Sequence, residues 1–269
     1  MAGKRQLSFT EFLADHPAFT TRELAAARGA PSDTISAYEQ LKHHLQTGRV
    51  KQVVRGLYAA VPPGIDAESF EPDRYVVAAA AEPEGIFAYH AALELLGVAQ
   101  TVWSECILHS ERPRAPIQLD SARLVFLPMP LPLRRHGAED VGVRLVGHES
   151  TRLRVTGPER TIVEGFRQPH RVGGVQELVE SASGFPVLDF DLLEEVLEAY
   201  AQRSLWAAVG WFVDRHRDNW LPPKRFLDRC RTERPRGRQY LVRDRRGGRT
   251  LAEWNLILPP EIEGHGRDA

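Results

Sequence analysis

Residues 32–43 carry short polar side chains whose types and spacing suit contact with a nucleic acid. They fall on one side of a helical pattern and comprise Ser32, Asp33, Ser36, Ala37, Gln40 and His43. Hydroxyl and amide groups pair with base edges and phosphate oxygens, and small residues permit a close approach. A solvated helix face more often carries Glu and Lys pairs. The pattern therefore predicts a helix face that contacts DNA.

The next stretch, GRVKQVVRGLYA, concentrates cations on a short run with the character of a strand. Residues 50–54 read as one strand, Arg55-Gly56 as a tight turn, and the residues after it as the returning strand. Such a hairpin would place cations against the phosphate backbone or in the minor groove. The residues that we expect to contact DNA here are Arg49, Lys51, Arg55 and Gly56.

Three helical patterns precede this hairpin and must position the polar face. They are SFTEFLADH, TTRELAAARG and SDTISAYEQLKHHLQTG. Thr20 and Glu23 have the spacing of a capping box for the second helix, and Ser32 is the candidate cap of the third. The residues of the third helix that we expect to face the core are Ile35, Tyr38, Leu41 and Leu45. Helices and hairpin together predict a winged helix-turn-helix DNA-binding domain over residues 1–62.

The charge balance allows a second interpretation of this module. From Thr20 to Tyr58 there are six Lys or Arg and three acidic residues, an excess that favours DNA but would also suit a module for protein contacts. The whole chain has a formal charge of -1 and a pI of about 6.8, so any nucleic-acid site must be a local surface. Because one copy would make few phosphate contacts, we expect two copies to bind together, as a homodimer on DNA or on paired half-sites.

Residues 63–269 predict a larger mixed α+β domain, so the expected fold class of the chain is α+β. The strand patterns are TVWSECILH, ARLVFLP, GVRLVG and TRLRVT, and helical patterns follow them. Residues 85–97 read as one helix, and Thr156 with Glu159 reads as a capping box. The end of the chain reads as a hairpin with a Gly247-Gly248 turn.

The sequence lacks the common catalytic signatures, including the P-loop, the dinucleotide fingerprint, HExxH and GxSxG. PDRY, residues 72–75, has the form of the first half of a PD-(D/E)xK nuclease site, but no D/E-x-K tripeptide follows it. His90, near Glu94, is expected to be packed rather than to bind a metal. Thr156, Glu159, Arg160 and Thr161 are expected to have structural roles. We therefore predict no enzyme activity, no metal site and no cofactor.

The distribution of charge and the use of cysteine indicate electrostatic contacts and the cellular location. Gln176 to Tyr200 contains seven acidic residues and no Lys or Arg, whereas Lys224 to Arg249 contains eleven basic residues and three acidic ones. We expect general electrostatics between such surfaces, with nucleic-acid contact as the alternative. The two cysteines form no CxxC pattern, and no signal peptide or membrane-spanning run is present. These features predict a cytoplasmic protein with no membrane association.

Several segments, in order and spacing, resemble the AbiEi-type antitoxins of bacterial type IV toxin–antitoxin systems. They are RVKQVVRGLYA, PDRYVVAAA, AYHAALELLGVA, VTGPERTIVEGFRQPHRVGG and WNLILP. The resemblance implies a transcriptional regulator that represses its own operon by binding inverted repeats in double-stranded DNA. It also implies an antitoxin, with a role in phage defence, that counteracts a nucleotidyltransferase-like toxin without a stable complex. The resemblance further implies that the residues at the matching positions contact DNA, namely Ser32, Ser36, Gln40, Lys51 and Arg55.

The sequence is also compatible with two other functions. One is a DNA-processing enzyme in which the winged helix delivers a nuclease-like C-terminal domain, with Asp73 in its site. The other is an adaptor whose winged helix binds protein. Cleavage of a plasmid in Mg²⁺ separates the first from the regulator, and promoter affinity at several salt concentrations separates the second.

Overall fold

The computed structural model describes residues 8–29, 33–112, 114–242 and 248–263. Helices and several sheets both contribute to it, which confirms the predicted α+β class. Ser32 and Gly247 lie outside the described residues. Across the described part of the chain, no helix is both long and apolar enough to cross a membrane.

The helices are α1 (Phe9–Asp15), α2 (Thr21–Ala27), α3 (Thr34–Gln46), α4 (Arg74–Ala81), α5 (His90–Leu95), α6 (Leu131–His136), α7 (Pro158–Arg167), α8 (Val175–Ala182), α9 (Phe190–Tyr200), α10 (Arg203–Arg215), α11 (Arg217–Trp220), α12 (Lys224–Glu233) and α13 (Pro260–Glu263). The strands are β1 (Ala18–Thr20), β2 (Val50–Val54), β3 (Leu57–Ala60), β4 (Ile86–Phe87), β5 (Glu105–Ser110), β6 (Ile117–Gln118), β7 (Arg123–Pro128), β8 (Val143–His148), β9 (Thr151–Thr156), β10 (Gln239–Tyr240), β11 (Arg249–Leu251) and β12 (Leu256–Leu258).

The chain forms two compact units. The first comprises Met1–Gly85, Ser104–Phe126 and Gly147–Arg152, and the second comprises Ile86–Trp103, Leu127–Val146 and Leu153–Ala269. The predicted boundary between residues 62 and 63 lies inside the first unit, just after β3. The division of the chain into functional domains at residue 62 stays a prediction.

The described residues between 8 and 60 form three helices and a three-stranded antiparallel sheet. The sheet has the order β1-β3-β2, in which Ala18 pairs with Ala59 and Val50 pairs with Ala60. The predicted strands β2 and β3 are confirmed, whereas β1 was not predicted. With only three residues, β1 is too short to show an alternating pattern, and it becomes a strand because it pairs with β3.

Side-chain caps fix where the first two helices begin. The Thr20 hydroxyl accepts from the Glu23 backbone N–H at 3.2 Å, and the Glu23 carboxylate accepts from the Thr20 backbone N–H at 2.6 Å. This confirms the predicted capping box. Ser8 and Glu11 form a second such box at α1. Each box satisfies two backbone donors that a helix N-terminus leaves without partners.

One apolar cluster holds these elements together. Its buried members are Phe12, Phe19, Leu24, Ala25, Ala37, Leu41, Val50 and Tyr58. Phe12 meets Phe19 edge to face with ring centroids 5.1 Å apart, an arrangement favoured by the ring quadrupoles. The cluster fixes the orientation of α3, and therefore which of its side chains face outward.

The remainder of the first unit packs α4 against β1, β3 and β5. In this unit the later strands have the order β6-β7-β5, and β6 pairs with β7 in antiparallel register. Asp73 caps α4, because its Oδ1 accepts from the backbone N–H groups of Tyr75 at 2.8 Å and Val76 at 2.9 Å. The PDRY segment therefore has a structural explanation as a helix start.

The second unit is mainly helical. Its core forms where α7 packs on α8, α9 and α10, and where α10 packs on α12. In this unit the strands have the order β4-β9-β8, and β4 pairs with β9 in parallel. Gly210 permits the close approach of α10, since a Cβ there would lie 2.3 Å from the Trp254 ring and 2.7 Å from the Cys230 Cβ.

Three local predictions are wrong. Residues 85–97 are not one helix, because Tyr89 has a φ of 58° and separates β4 from α5. Gly157, not Thr156, occupies the N-cap of α7, and the Thr156 hydroxyl pairs with Thr161 at 2.8 Å instead. At the end of the chain, β10 and β11 each pair with β12 rather than with one another.

Candidate nucleic-acid interface

Helix α3 begins at an aspartate cap. The Asp33 carboxylate accepts from the Ser36 backbone N–H at 2.9 Å, and the Asp33 carbonyl accepts from the Ala37 backbone N–H. The structure thus assigns the cap to Asp33, whereas Ser32, the predicted cap, lies outside the described residues. The Asp33 carboxylate also interacts favourably with the positive end of the helix dipole. Asp33, which the sequence predicts as a DNA contact, therefore has a structural role.

The buried side of α3 differs from the predicted one. Ala37 is 3% exposed and lies with Leu41 in the apolar cluster, whereas Ile35 is 77% exposed and Tyr38 is 40% exposed. The prediction that Ala37 faces outward is therefore wrong, as is the prediction that Ile35 and Tyr38 face the core. Ala37 shares this cluster with Ala25 of α2, and α2 packs against α3.

The outward side of α3 nevertheless retains most of the predicted polar residues. Ser36, Gln40 and His43 are all exposed. The residues on this side that the sequence prediction missed are Ile35, Tyr38, Glu39 and Lys42. Lys42 pairs with Glu39 at 2.7 Å, so these two charges largely cancel. The outward surface of α3 is therefore uncharged on balance, with one apolar and several hydrogen-bonding side chains.

The β2–β3 hairpin places Arg55 and Gly56 at its tip. Gly56 has a φ of +84°, which a residue with a Cβ rarely adopts, and its carbonyl accepts from the Thr21 backbone N–H at 3.2 Å. This bond ties the tip to the start of α2. Arg55 is exposed, and among the described residues neither Arg55 nor the exposed Arg22 of α2 forms an ion pair. Both cations are free to meet an external anion.

Lys51 does not extend from the hairpin as predicted. Its Nζ donates to the Phe70 carbonyl at 2.5 Å and lies 3.4 Å from the Glu68 carbonyl and 3.7 Å from the Asp120 carboxylate. The Lys51 ammonium is therefore engaged by the chain's own backbone, whereas the sequence predicts that it faces outward. The side chain instead holds residues 66–70 against β2.

Arg49 lies at the base of the hairpin. It is exposed and donates to the Thr10 hydroxyl at 3.2 Å. The neighbouring His44 is half-buried and stacks on Phe9, with ring centroids 3.7 Å apart. Burial, together with the charge of Arg49, lowers the pKa of His44, which keeps the imidazole neutral near pH 7. His44 is a packing residue, whereas Arg49 remains available at the surface.

Chemistry in the second unit centres on a buried ion pair. The Arg160 Nε lies 2.9 Å from the Glu164 carboxylate, and both side chains are fully buried. Arg160 also donates to the carbonyls of Glu139 at 2.6 Å and Val141 at 3.1 Å, and the Tyr200 hydroxyl donates to Glu164 at 2.6 Å. Burial and the Glu164 carboxylate raise the pKa of Tyr200 well above its usual value. The network is closed and structural.

The other predicted structural residues of the second unit also have internal partners. Glu159 accepts from the Arg144 guanidinium at 3.0 Å and from the Asp189 backbone N–H at 2.9 Å. His90 is fully buried, with Glu94 at 3.5 Å and Glu177 at 3.6 Å from its two ring nitrogens. Glu177 is in turn held by the Ser181 hydroxyl at 2.7 Å. His90 is thus packed, as predicted.

The basic segment after residue 224 pairs with the acidic one. Arg225 lies 2.5 Å from Asp191, and Arg229 contacts both Glu194 and Glu198 of α9. Most arginines of α12 are therefore engaged within the second unit, which agrees with the expectation of general electrostatics. Residues 243–247 of this segment lie outside the described residues.

Comparisons with known proteins add a fold relationship. No family model matches the sequence, and no curated protein matches it. A solved structure that is similar is that of the Rv2827c protein from Mycobacterium tuberculosis, with a TM-score of 0.60 and 20% sequence identity. The match covers 93% of this chain and 89% of that chain. At this identity the likeness shows a shared fold alone.

Proposed function

We propose that this protein is a DNA-binding transcriptional regulator whose first sixty residues act as a winged helix-turn-helix. Helix α3 would lie in the major groove, and the β2–β3 hairpin would be the wing. The observation that carries the proposal is the combination of element order, α1-β1-α2-α3-β2-β3, with an outward side of α3 that is exposed and uncharged on balance. This order is that of a helix-turn-helix followed by a hairpin.

The side chains on α3 have the chemistry for reading base edges. Gln40 can pair with adenine, Ser36 can pair with several bases, and Glu39 can accept from the cytosine amino group. Ile35 offers an apolar contact for a thymine methyl group. Burial of Ser36 and Gln40 within the chain would have excluded this function, and both are exposed.

The cations around α3 have the chemistry for contacting phosphates. Arg22, Arg49 and Arg55 are exposed, and none of them forms an ion pair with another described residue. Three phosphate contacts from one copy would bind DNA weakly, so we propose that two copies bind the two halves of an inverted repeat. In this role the protein would act in the cytoplasm, without a membrane partner.

The biological role follows from the resemblance to AbiEi-type antitoxins. We propose that the protein represses its own promoter and counteracts a nucleotidyltransferase-like toxin without forming a stable complex. The antitoxin activity is tested by expressing the adjacent reading frame with and without this chain. Growth arrest that is relieved by the chain supports the role, and arrest that the chain leaves unchanged contradicts it.

DNA binding is tested by measuring the salt dependence of affinity for a labelled duplex from upstream of the chain's own reading frame. The slope of log affinity against log salt concentration is negative for a protein that contacts phosphates. Replacing Arg55 with alanine should reduce the magnitude of this slope by about 0.9, the value for one phosphate contact. Lys51→Gln is the matched control, because Lys51 lies in the same hairpin but is bound to backbone carbonyls. We expect its slope to equal that of the unmodified protein.

The comparison of these two variants also separates the proposal from its alternatives. If Arg55→Ala leaves affinity and slope unchanged, the wing does not contact phosphate, and the adaptor function becomes preferable. A nuclease would cleave plasmid DNA in Mg²⁺ and lose this activity in Asp73→Asn. We expect no cleavage, because the sequence has no D/E-x-K tripeptide after residues 72–75 to supply the further acid and the lysine of such a site.

A further inference from the structure

The first unit brings together three candidate metal ligands, which are Asp73, His148 and Glu149. His148 lies 75 positions after Asp73 in the sequence. Asp73 precedes α4, His148 ends β8, and Glu149 follows in the turn. One carboxylate oxygen from each acid and one ring nitrogen of the histidine lie within 4.8 Å of one another. A nitrogen ligand with two oxygen ligands is a set that transition-metal ions bind.

Two of the three side chains are fixed before any ligand arrives. Asp73 uses Oδ1 to cap α4, which leaves Oδ2 directed toward His148. The His148 ring rests against Tyr75, with ring centroids 5.1 Å apart and an angle of 74° between the planes. The side chains of Asp73 and His148 are 29% and 26% exposed, so the pair lies near the surface although the His148 Nε2 itself is buried.

The geometry between these two side chains differs from that of a hydrogen bond. The His148 Nε2 lies 3.1 Å from the Asp73 Oδ2, but this buried nitrogen forms no hydrogen bond with any described residue. The oxygen therefore lies off the axis along which the ring nitrogen would donate. Two ligand atoms at about 2.1 Å from one ion, at 90° to 109°, lie about 3.0 to 3.4 Å apart. The observed separation and misalignment both fit ligands that point toward a shared ion.

We propose that Asp73, His148 and Glu149 bind one divalent first-row transition ion, such as Zn²⁺, Ni²⁺ or Co²⁺, with water completing its coordination. The imidazole ligand favours these ions over Mg²⁺, which prefers oxygen ligands and keeps several waters. The ion would tie the turn at residues 148–149 to the start of α4. This site does not depend on DNA binding, and no reaction is assigned to it.

The test is isothermal titration calorimetry of the full chain with ZnCl₂, after removal of any purification tag and treatment with a chelator. We expect one ion per chain, and affinity at least about tenfold lower in each of Asp73→Asn, His148→Ala and Glu149→Gln. Asp73→Asn keeps the helix cap, because asparagine caps as well as aspartate does. His136→Ala is the matched control, since His136 is an exposed histidine elsewhere on the chain.

A second measurement guards against variants that fail to fold. Zn²⁺ should raise the melting temperature of the unmodified protein and of His136→Ala, but not that of His148→Ala. Circular dichroism without the ion should be the same for all of them. The proposal is overturned if no stoichiometric binding occurs, if binding survives in His148→Ala, or if Mg²⁺ competes with Zn²⁺ on equal terms.

Discussion

Replacing Glu164 with alanine is expected to destabilise the second unit by about 3–5 kcal/mol, the usual effect of removing one partner from a buried ion pair. The substitution leaves the Arg160 guanidinium charged and fully buried without its carboxylate at 2.9 Å. It also removes the acceptor of the Tyr200 hydroxyl, which adds a penalty of about 1–3 kcal/mol for a buried unpaired donor. The carbonyls of residues 139 and 141 still accept from Arg160 and offset part of this loss.

The assay is urea unfolding followed by tryptophan fluorescence. All five tryptophans of the chain lie in the second unit, so their emission reports on that unit alone. They are Trp103, Trp206, Trp211, Trp220 and Trp254. Arg225→Ala is the control, because its pair with Asp191 is exposed and should contribute less than about 1 kcal/mol.

A third variant tests the cause of the loss. If charge burial is responsible, the double substitution of Arg160 to methionine with Glu164 to leucine should recover most of the stability lost in Glu164→Ala. A Glu164→Ala variant that unfolds within about 1 kcal/mol of the unmodified protein would refute the reasoning. A double variant less stable than Glu164→Ala by a further amount of about 3–5 kcal/mol, the usual effect of removing a partner from a buried ion pair, would also refute the reasoning.

Three further predictions concern packing, pH and the hairpin. Gly210→Ala should destabilise the second unit by about 1–3 kcal/mol in the same unfolding assay, whereas Gly237→Ala, which has open space around it, should have little effect. Burial raises the pKa of Glu177, but hydrogen bonds from Ser181 and the Gln100 N–H outweigh it, so the net pKa is lowered. The ionised Glu177 carboxylate therefore contributes to the free energy of unfolding. This contribution is present above the pKa of about 4.3 of a solvated glutamate and is lost as the pH falls through the lower pKa of the folded state. Glu177→Gln should accordingly flatten the acid limb of a curve of stability against pH. Lys51→Gln should increase backbone amide exchange at residues 66–70, and unchanged exchange would contradict the role assigned to Lys51.

Local signals predicted much of the first sixty residues. The Thr20–Glu23 capping box depends on residues three apart, and the β2–β3 hairpin depends on a two-residue turn with glycine in the left-handed region. In both cases the relevant physics lies within a few residues along the chain. The sequence therefore sufficed to predict them.

The orientation of α3 could not be predicted in this way. Hydrophobicity placed Ile35 inside and Ala37 outside, but tertiary packing buries Ala37 in the apolar cluster and leaves Ile35 exposed. The position of Lys51 was missed for a similar reason, because its partners, the carbonyls of residues 68 and 70, come from a loop without a regular pattern.

The cluster of Asp73, His148 and Glu149 could not be predicted from the sequence. His148 and Glu149 become its neighbours only through tertiary packing, and HES in a turn carries no metal-binding spacing that a sequence pattern would detect. Sequence reasoning did single out Asp73, but as part of a nuclease motif. The structure shows it as a helix cap with a second oxygen directed toward His148.

The most direct test of the proposed function is the ratio of affinities for the upstream duplex and a scrambled duplex of equal composition. We expect the unmodified protein to prefer its own upstream DNA by at least about a thousandfold. Ser36→Ala with Gln40→Ala should lower the free energy of this discrimination by about 1–3 kcal/mol per lost base contact, without changing affinity for the scrambled duplex. Equal affinity for both duplexes, or a ratio that the double variant leaves intact, would contradict base reading by α3.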